Sequence, residues 1–313
     1  MNKKTTISVI LPVYNEQENI RAIHRRVAKT LTKYGHPFEI IFINDGSHDK
    51  TEVRVRKLME DYTYVKLLNF TRNYGHQAAV TAGLDYCTGD YIAVLDADLQ
   101  DPPEVLPKFF KKLEEGYSVV YAIRTKRKEG FLKKLAYGAF YRLLRKVANI
   151  DIPLDSGDFC VMKKRVVQTM KKMPERNRFI RGIRSWVGFK QIGLSYERKE
   201  RHKGESKYTF RKLLQLATDG ILSFSYIPLR LMTVGGLLAF FISIIGVFVA
   251  LYLRLFTKTF VPGFATTIIL LMFGGGIVML GLGIIGEYIA RIYDEVKQRP
   301  PYIVESSHGF KED

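Results

Sequence analysis

Tyr91-Ile-Ala-Val-Leu95 runs directly into Asp96-Ala97-Asp98-Leu99-Gln100. The first five residues are a short, wholly apolar run, the pattern of a strand buried on both faces. Open α/β sheets bind ligands in the crevice outside the carboxyl ends of such strands. Two carboxylates one residue apart at that edge, with an amide two residues on, make an all-oxygen donor set. It suits Mg2+ or Mn2+ delivered on phosphates. The same residues also read as an acidic turn before the helix that follows Asp101-Pro102-Pro103. Alone, the stretch leaves both readings open.

Upstream, Ile7-Ser-Val-Ile-Leu11 reads as a strand with Pro12-Val-Tyr-Asn-Glu16 as the turn after it. A helix over residues 16–34 follows, with Ile20, Ile23, Val27 and Leu31 at helical spacing. Glu39-Ile-Ile-Phe-Ile43 is a second strand and ends in Asn44-Asp45-Gly46-Ser47. A helix over 50–61 leads to strand Val65-Lys-Leu-Leu-Asn69, and the loop Thr71-Arg-Asn-Tyr-Gly-His-Gln77 opens a helix reaching Tyr86. Beyond Asp98, a helix over 103–115 and strand Tyr117-Ser-Val-Val-Tyr121 complete an alternating series. That order predicts an α/β domain with a mostly parallel sheet and helices on both faces.

The chain has 313 residues and a net charge of +18, which calls for an anionic partner: nucleic acid, an anionic membrane surface or a phosphorylated substrate. Cys87 and Cys160 have no metal-ligand spacing, which points to a reducing compartment. No signal peptide is expected, because Val9-Ile10-Leu11 runs into Pro12 without a small-residue cleavage site. Residues 231–253 and 259–286 carry no charge, runs of 23 and 28 residues. Each exceeds the roughly 20 residues a helix needs to cross a bilayer. The short connector 254–258 makes them a hairpin with spans near 231–253 and 262–286. Basic residues crowd the N-terminal part and the tail, while the connector has only Arg254 and Lys258. The positive-inside rule therefore puts the N-terminal domain and both termini in the cytoplasm, on a multi-pass protein of the plasma or inner membrane.

Between Arg124 and Lys146 nine basic residues stand against one acidic residue, and apolar pairs recur every four positions from Phe131-Leu132 to Val147-Ala148. The segment reads either as a basic amphipathic helix in the membrane interface, near 131–149, or as a helix packed on the sheet. Residues 163–184 add nine basic residues against one acidic, and 199–212 six against two. Charge beside an anionic leaflet contributes about 1 kcal/mol per Lys or Arg, so the excess requires no nucleic acid. Residues 211–229 read as a juxtamembrane helix. The expected organisation is thus a cytoplasmic domain over 1–210, that helix, a hairpin over 230–290 and a tail over 291–313.

Pro12-Val-Tyr-Asn-Glu16, Asn44-Asp45-Gly46-Ser47, Gly75-His-Gln77 and Asp96-Ala-Asp98 with Gln100 each fall at the end of a strand, in order. In this the chain resembles the family 2 inverting glycosyltransferases, which use nucleotide-diphosphosugars. Asp155-Ser-Gly-Asp158-Phe159 and Arg201-His-Lys-Gly-Glu-Ser-Lys207-Tyr208 narrow the likeness to the polyprenyl-phosphate branch. That branch includes polyprenyl-phosphate glucosyltransferases and dolichyl-phosphate mannose synthases, and the hairpin favours the former. The resemblance implies a GT-A fold (Rossmann-like, mostly parallel) and the transfer of one hexose, glucose from UDP-glucose, to a polyprenyl phosphate. Trp186 lacks the Gln-x-x-Arg-Trp frame of processive synthases. The implied cofactor is Mg2+ or Mn2+. The implied partners are the donor, the lipid acceptor, anionic membrane lipids and further copies of the chain.

The resemblance also implies roles. Pro12, Tyr14 and Glu16 line the nucleotide pocket, Asp45 accepts a hydrogen bond from the base, and Gly75 and Gln77 approach the ribose and diphosphate. Asp96, with Ala97 beside it, meets ribose and metal; Asp98 holds the metal, with Gln100 close by. Asp158 faces the anomeric carbon as base or as positioner of the acceptor, with Asp155 as the alternative. Arg201 and Lys207 stabilise phosphate charge from a loop hinged at Gly204. Structural readings stand beside these: Glu16 as a helix N-terminal carboxylate, Asp45 as a turn residue, Ser156-Gly157 as a tight turn, and 201–208 as an exposed basic linker. Rival functions are transfer from GDP-mannose, UDP-N-acetylglucosamine or UDP-aminoarabinose, transfer to a non-lipid acceptor, and a non-catalytic basic membrane scaffold.

Overall fold

A computed structural model describes residues 5–125, 156–173, 175, 178–197, 227–256 and 263–310. The expected interfacial helix at 131–149, most of the juxtamembrane helix, and Asp155, Arg201 and Lys207 lie outside the described residues. Eight strands form one sheet: β1 (Ile7–Val13), β2 (Phe38–Asn44), β3 (Val65–Phe70), β4 (Tyr91–Val94), β5 (Val119–Thr125), β6 (Ser156–Lys163), β7 (Gln191–Glu197) and β8 (Val304–His308). Their order is β7-β5-β6-β4-β1-β2-β3-β8. β1 lies parallel to β2 and β4, β2 to β3, and β5 to β7. β6 runs antiparallel to β4 and β5, and β8 antiparallel to β3. The sheet is mostly parallel, as the β/α alternation requires.

Every residue of β1 is buried, because helices cover both faces. α1 (Ile20–Tyr34) turns Ile20, Ile23, Val27 and Leu31 into the core. Each such side chain contributes about 1.5–3 kcal/mol of burial. α2 (Thr51–Asp61), α3 (His76–Tyr86), α4 (Leu106–Glu114), α5 (Lys164–Lys171) and α6 (Ile180–Trp186) complete this unit among the described residues. Phe109 of α4 stacks on Phe159 of β6, with ring centroids 5.1 Å apart.

Four local expectations are corrected. α1 starts at Ile20 rather than residue 16, because residues 15–17 are tied to the loop after β2 (below). A 3-10 turn over Pro103–Val105 precedes α4. Ser156 and Gly157 are strand residues of β6 rather than a tight turn, since Ser156 pairs with Ile123 of β5. The expected tail over 291–313 holds a strand, Val304–His308, which pairs with β3 of its own chain.

The chain divides into two compact units, one holding the eight strands and α1–α6, the other α7 (Ile227–Phe256) and α8 (Phe264–Val296). Both long helices contain windows long and apolar enough to cross a membrane. They meet where a Cβ on Gly281 would lie 2.7 Å from Met232 Cε. Among the described residues, a Cβ on Gly235, Gly236, Gly246, Gly274, Gly275, Gly276 or Gly283 would meet nothing within 4 Å.

Candidate active site

The antiparallel register pairs Val94 of β4 with Cys160 of β6. Continued by two residues past the end of β4, it sets Asp96 across from Asp158 at the carboxyl edge of the sheet. Leu99, between Asp98 and Gln100, adopts φ 64°, a left-handed conformation that a bulky side chain rarely takes. Such strain costs on the order of 1–3 kcal/mol and persists only where the surroundings impose it. Here Gln100 N donates to Asp98 Oδ1 at 3.1 Å and Arg26 Nη1 donates to Leu99 O at 3.4 Å. Arg26 is itself held by a two-point pair with Glu104, at 2.8 and 2.7 Å. Tyr196 Oη donates to Asp101 Oδ1 and closes the far end of the loop.

A charged cluster bridges the two strands. Arg181 of α6 donates Nε to Asp158 Oδ1 at 2.7 Å and Nη2 to Asp158 Oδ2 at 2.9 Å. His76 Nε2 lies 3.3 Å from Asp158 Oδ2 and 3.7 Å from Asp96 Oδ1. Desolvation would raise the Asp158 pKa, but the Arg181 guanidinium and the His76 hydrogen bond override it and hold the carboxyl well below the usual range. For His76, desolvation acts downward, yet the bond to Asp158 and the charge of Asp96 raise it to about 9. At neutral pH the cluster is an imidazolium and a guanidinium around two acids. Gln77, expected near the diphosphate, accepts from Ile180 N at 3.0 Å and so caps the start of α6, the helix that carries Arg181.

A second set of loops surrounds Asp45. Tyr74 N and Gly75 N donate to its two carboxylate oxygens at 2.6 and 2.9 Å. Burial raises its pKa, and those two amides act against the rise. Gly46 (φ 65°) permits this closeness, since a Cβ there would collide with the backbone of Arg72 and Asn73. The turn after β1 is laced to the same region: Asn15 N donates to Ser47 Oγ at 2.9 Å, Glu16 N to Thr51 Oγ1 at 3.0 Å and Gln17 N to Asp49 Oδ2 at 3.2 Å. Glu16 accepts from Asn19 Nδ2 at 2.5 Å, ahead of α1. Tyr14 stays 40% exposed with its ring edge-on to His48, whereas Pro12 is buried in β1 and Ala97 in the core.

The structure therefore brings Asp96 and Asp158 together, and separately Asp45 with Gly75. Asp155, Arg201 and Lys207 are outside the described residues. His76 and Arg181 were missed by sequence reasoning. His76 sat inside the Gly75-His-Gln77 signature without a role, and Arg181 was absorbed into the basic block over 163–184.

Among the described residues no group of three His, Cys, Asp or Glu side chains could hold a metal by itself. Asp96 and Asp98 offer two carboxylates, so a divalent ion would take further oxygens from a diphosphate and water, the usual arrangement of Mg2+ at phosphates. Burial is the main cause raising Asp96 to about 6; His76 opposes it, while Asp101, Asp158 and Asp98 add to it. A cation relieves this crowding of like charge, so the residues fit one.

A mostly parallel sheet with acidic residues gathered at its carboxyl edge is the usual place for a ligand site in an open α/β domain. The chain belongs to Glycosyl transferase family 2, whose model matches residues 8–170, and it is a glycosyltransferase of GT-A-like fold. It is 46% identical to the uncharacterized glycosyltransferase YkcC of Bacillus subtilis (strain 168), over 99% of this chain and 97% of that one. It is 42% identical to the prophage bactoprenol glucosyl transferase homolog of Escherichia coli (strain K12), covering 95% and 98%. With the SfII prophage-derived bactoprenol glucosyl transferase of Shigella flexneri it shares 41% identity, covering 96% and 98%.

Proposed function

We propose that this glycosyltransferase moves one glucose from UDP-glucose to a polyprenyl phosphate at the cytoplasmic leaflet, with inversion and with a divalent metal ion. The observation that carries the reading is the clustering of Asp96, His76, Asp158 and Arg181 at the carboxyl edge of the sheet, 3.7 Å or less from one charged group to the next. The names of the Escherichia coli and Shigella relatives, bactoprenol glucosyl transferases, support the sugar and the acceptor class.

An oxygen of the acceptor phosphate forms the new bond to the anomeric carbon. The bond from that carbon to the donor's β-phosphate oxygen breaks, and its electron pair leaves on UDP. A phosphate monoester has a second pKa near 6 and is already mostly dianionic at neutral pH. Little general-base help is needed. Asp158, kept ionised with both oxygens on Arg181, acts as a positioning anion beside the reacting carbon rather than as a proton acceptor. Asp155 is the alternative for this role. Asp45 orders the 74–75 backbone on which the donor lies, with Pro12, Tyr14, Glu16, Gly75, Gln77 and Ala97 around it. A divalent ion held by Asp96 and Asp98, with Gln100 alongside, would supply Lewis-acid neutralisation of the departing diphosphate. Arg201 and Lys207 bring further positive charge to the phosphates.

α7 and α8 are proposed to span the bilayer as a hairpin with both chain ends cytoplasmic. In support, the chain leaves the strand-bearing unit before α7 and returns to it after α8. The basic blocks face anionic lipid, and the glycines of the two long helices serve contacts between copies. The test is a panel of radiolabelled nucleotide sugars with polyprenyl phosphate, scored for lipid-extractable label. UDP-glucose should label the lipid fastest. Label from GDP-mannose or UDP-N-acetylglucosamine alone would overturn the choice of donor, and no lipid label from any would overturn the acceptor.

A further inference from the structure

The segment after α8 contacts the end of β3, the residue that follows it and the end of α3. Tyr302 stacks on Phe70, with ring centroids 5.1 Å apart at 11°, and its hydroxyl donates to Asp85 Oδ2 at 2.9 Å. Thr71 N donates to Ile303 O at 3.2 Å. A register shift between Asn69 and Phe70 then sets Ser306 opposite Asn69. Asn69 Nδ2 donates to Ser306 Oγ at 2.9 Å and to Glu52 Oε1 at 3.0 Å. Asn69 Oδ1 accepts from Asn44 Nδ2 at 3.0 Å, and Asn44 Oδ1 accepts from Ser47 N at 3.1 Å.

Asn44 and Asn69 are 3% and 2% exposed, so their amides have almost no water to turn to. In such a chain a change at one end is felt at the other, because a buried polar group left unpaired is costly. The loop 71–75 is held at both ends: Thr71 by the tail, Tyr74 and Gly75 by Asp45. One end of that loop, and the turn that carries Asp45, thus depend on residues far later in the sequence; the Asn69–Ser306 separation is 237.

We propose that Tyr302 and Ser306 are positioning residues for the nucleotide-sugar donor, acting through Asn69, Phe70 and Thr71 to set the Asn44-Asp45-Gly46-Ser47 turn and the 71–75 loop. This rests on the donor-site reading above. Neither residue touches the turn itself, and both lie beyond the apolar helices in sequence. The competing account is that β8 merely covers the open edge of β3.

The two accounts separate in the kinetics of the full-length protein. Tyr302→Leu removes the ring stacked on Phe70; Ser306→Ala removes the acceptor for Asn69; Ser306→Thr keeps a hydroxyl. Loss of one such hydrogen bond should raise the donor KM about two- to tenfold. The KM for polyprenyl phosphate, kcat and the thermal midpoint should stay near wild type, and Ser306→Thr should restore donor KM. The proposal fails if donor KM is unchanged in Tyr302→Leu and Ser306→Ala. It fails equally if both KM values, kcat and the midpoint worsen together with no rescue by threonine. The donor is whichever nucleotide sugar the wild type turns over fastest, and calorimetric binding of its nucleoside diphosphate repeats the comparison without turnover. A wild type that prefers another sugar overturns the UDP-glucose reading and leaves the tail comparison intact.

Discussion

Arg181 grips Asp158 at two points, 2.7 and 2.9 Å, from a helix whose first amide is capped by Gln77. The pairing fixes where the negative charge sits and withdraws it from proton chemistry in the neutral range. Asp158→Asn should therefore lower kcat by about 100-fold, the typical cost of misplacing a reacting group, and leave donor KM within a few fold. Arg181→Lys keeps one charge but loses the two-point geometry, and should lower kcat less. Single-turnover rates with saturating donor check both. An unchanged kcat in Asp158→Asn together with an inactive Asp155→Asn would exchange the two assignments.

Asp98→Ala should abolish metal-stimulated transfer while the protein stays folded. It removes the acceptor for Gln100 N, worth about 1 kcal/mol, so the thermal midpoint should fall by only a few degrees. EDTA should silence the wild type, and Mn2+ or Mg2+ should restore it. Full activity in EDTA would end the metal proposal.

Asp45→Asn exchanges a carboxylate that accepts two amides for a group with one acceptor oxygen. Gly75 and Tyr74 compete for it, and the loop they carry loosens. Donor KM should rise about tenfold, the scale of one charge-assisted hydrogen bond, with little change in kcat. Titration calorimetry with UDP reads the same shift directly.

Stability should follow pH through Glu39. Its carboxylate takes Lys66 Nζ at 2.6 Å, Ser8 Oγ at 2.5 Å and Thr88 N at 2.9 Å. Burial alone would raise its pKa; these partners, Lys66 foremost, bring it below the ordinary value of 4.5. A depressed folded-state pKa gives stability that is fully present above the unfolded value and lost as pH falls through the folded one. Glu39→Gln should cost about 3 kcal/mol at pH 7, since it strands Lys66. The gap to wild type should narrow below about pH 4.5 as the wild-type carboxyl protonates. Thermal midpoints of the two proteins from pH 7 to pH 3 test this.

β1 to β4 are legible in the sequence because each is a run of apolar residues covered on both faces, and such a run has one reading when turn residues bound it. β8 is not. Val304-Glu-Ser-Ser-His308 has one strongly apolar residue and alternates half-buried with exposed positions, so its order comes from pairing with β3. β6 is obscured differently: Ser156-Gly157 has turn composition, and the pairing of Ser156 with Ile123 of β5 makes it strand. Asp96 and Asp98 could be found as a carboxylate pair just past an apolar strand, and they and Asp158 owe their roles to the family resemblance. Arg181 could not be told from its basic neighbours in 163–184, since its pairing is tertiary. His76 is a similar case, its partners lying 20 and 82 residues away in sequence.

The place of β8 has a consequence for biosynthesis. A ribosome releases the chain from its amino end, so both apolar helices emerge before the edge of the sheet can be closed. A nascent or prematurely terminated polypeptide thus carries Asp96 and Asp158 but leaves β3 without its outer neighbour. The strand-bearing unit is finished only when the two long helices have already been made.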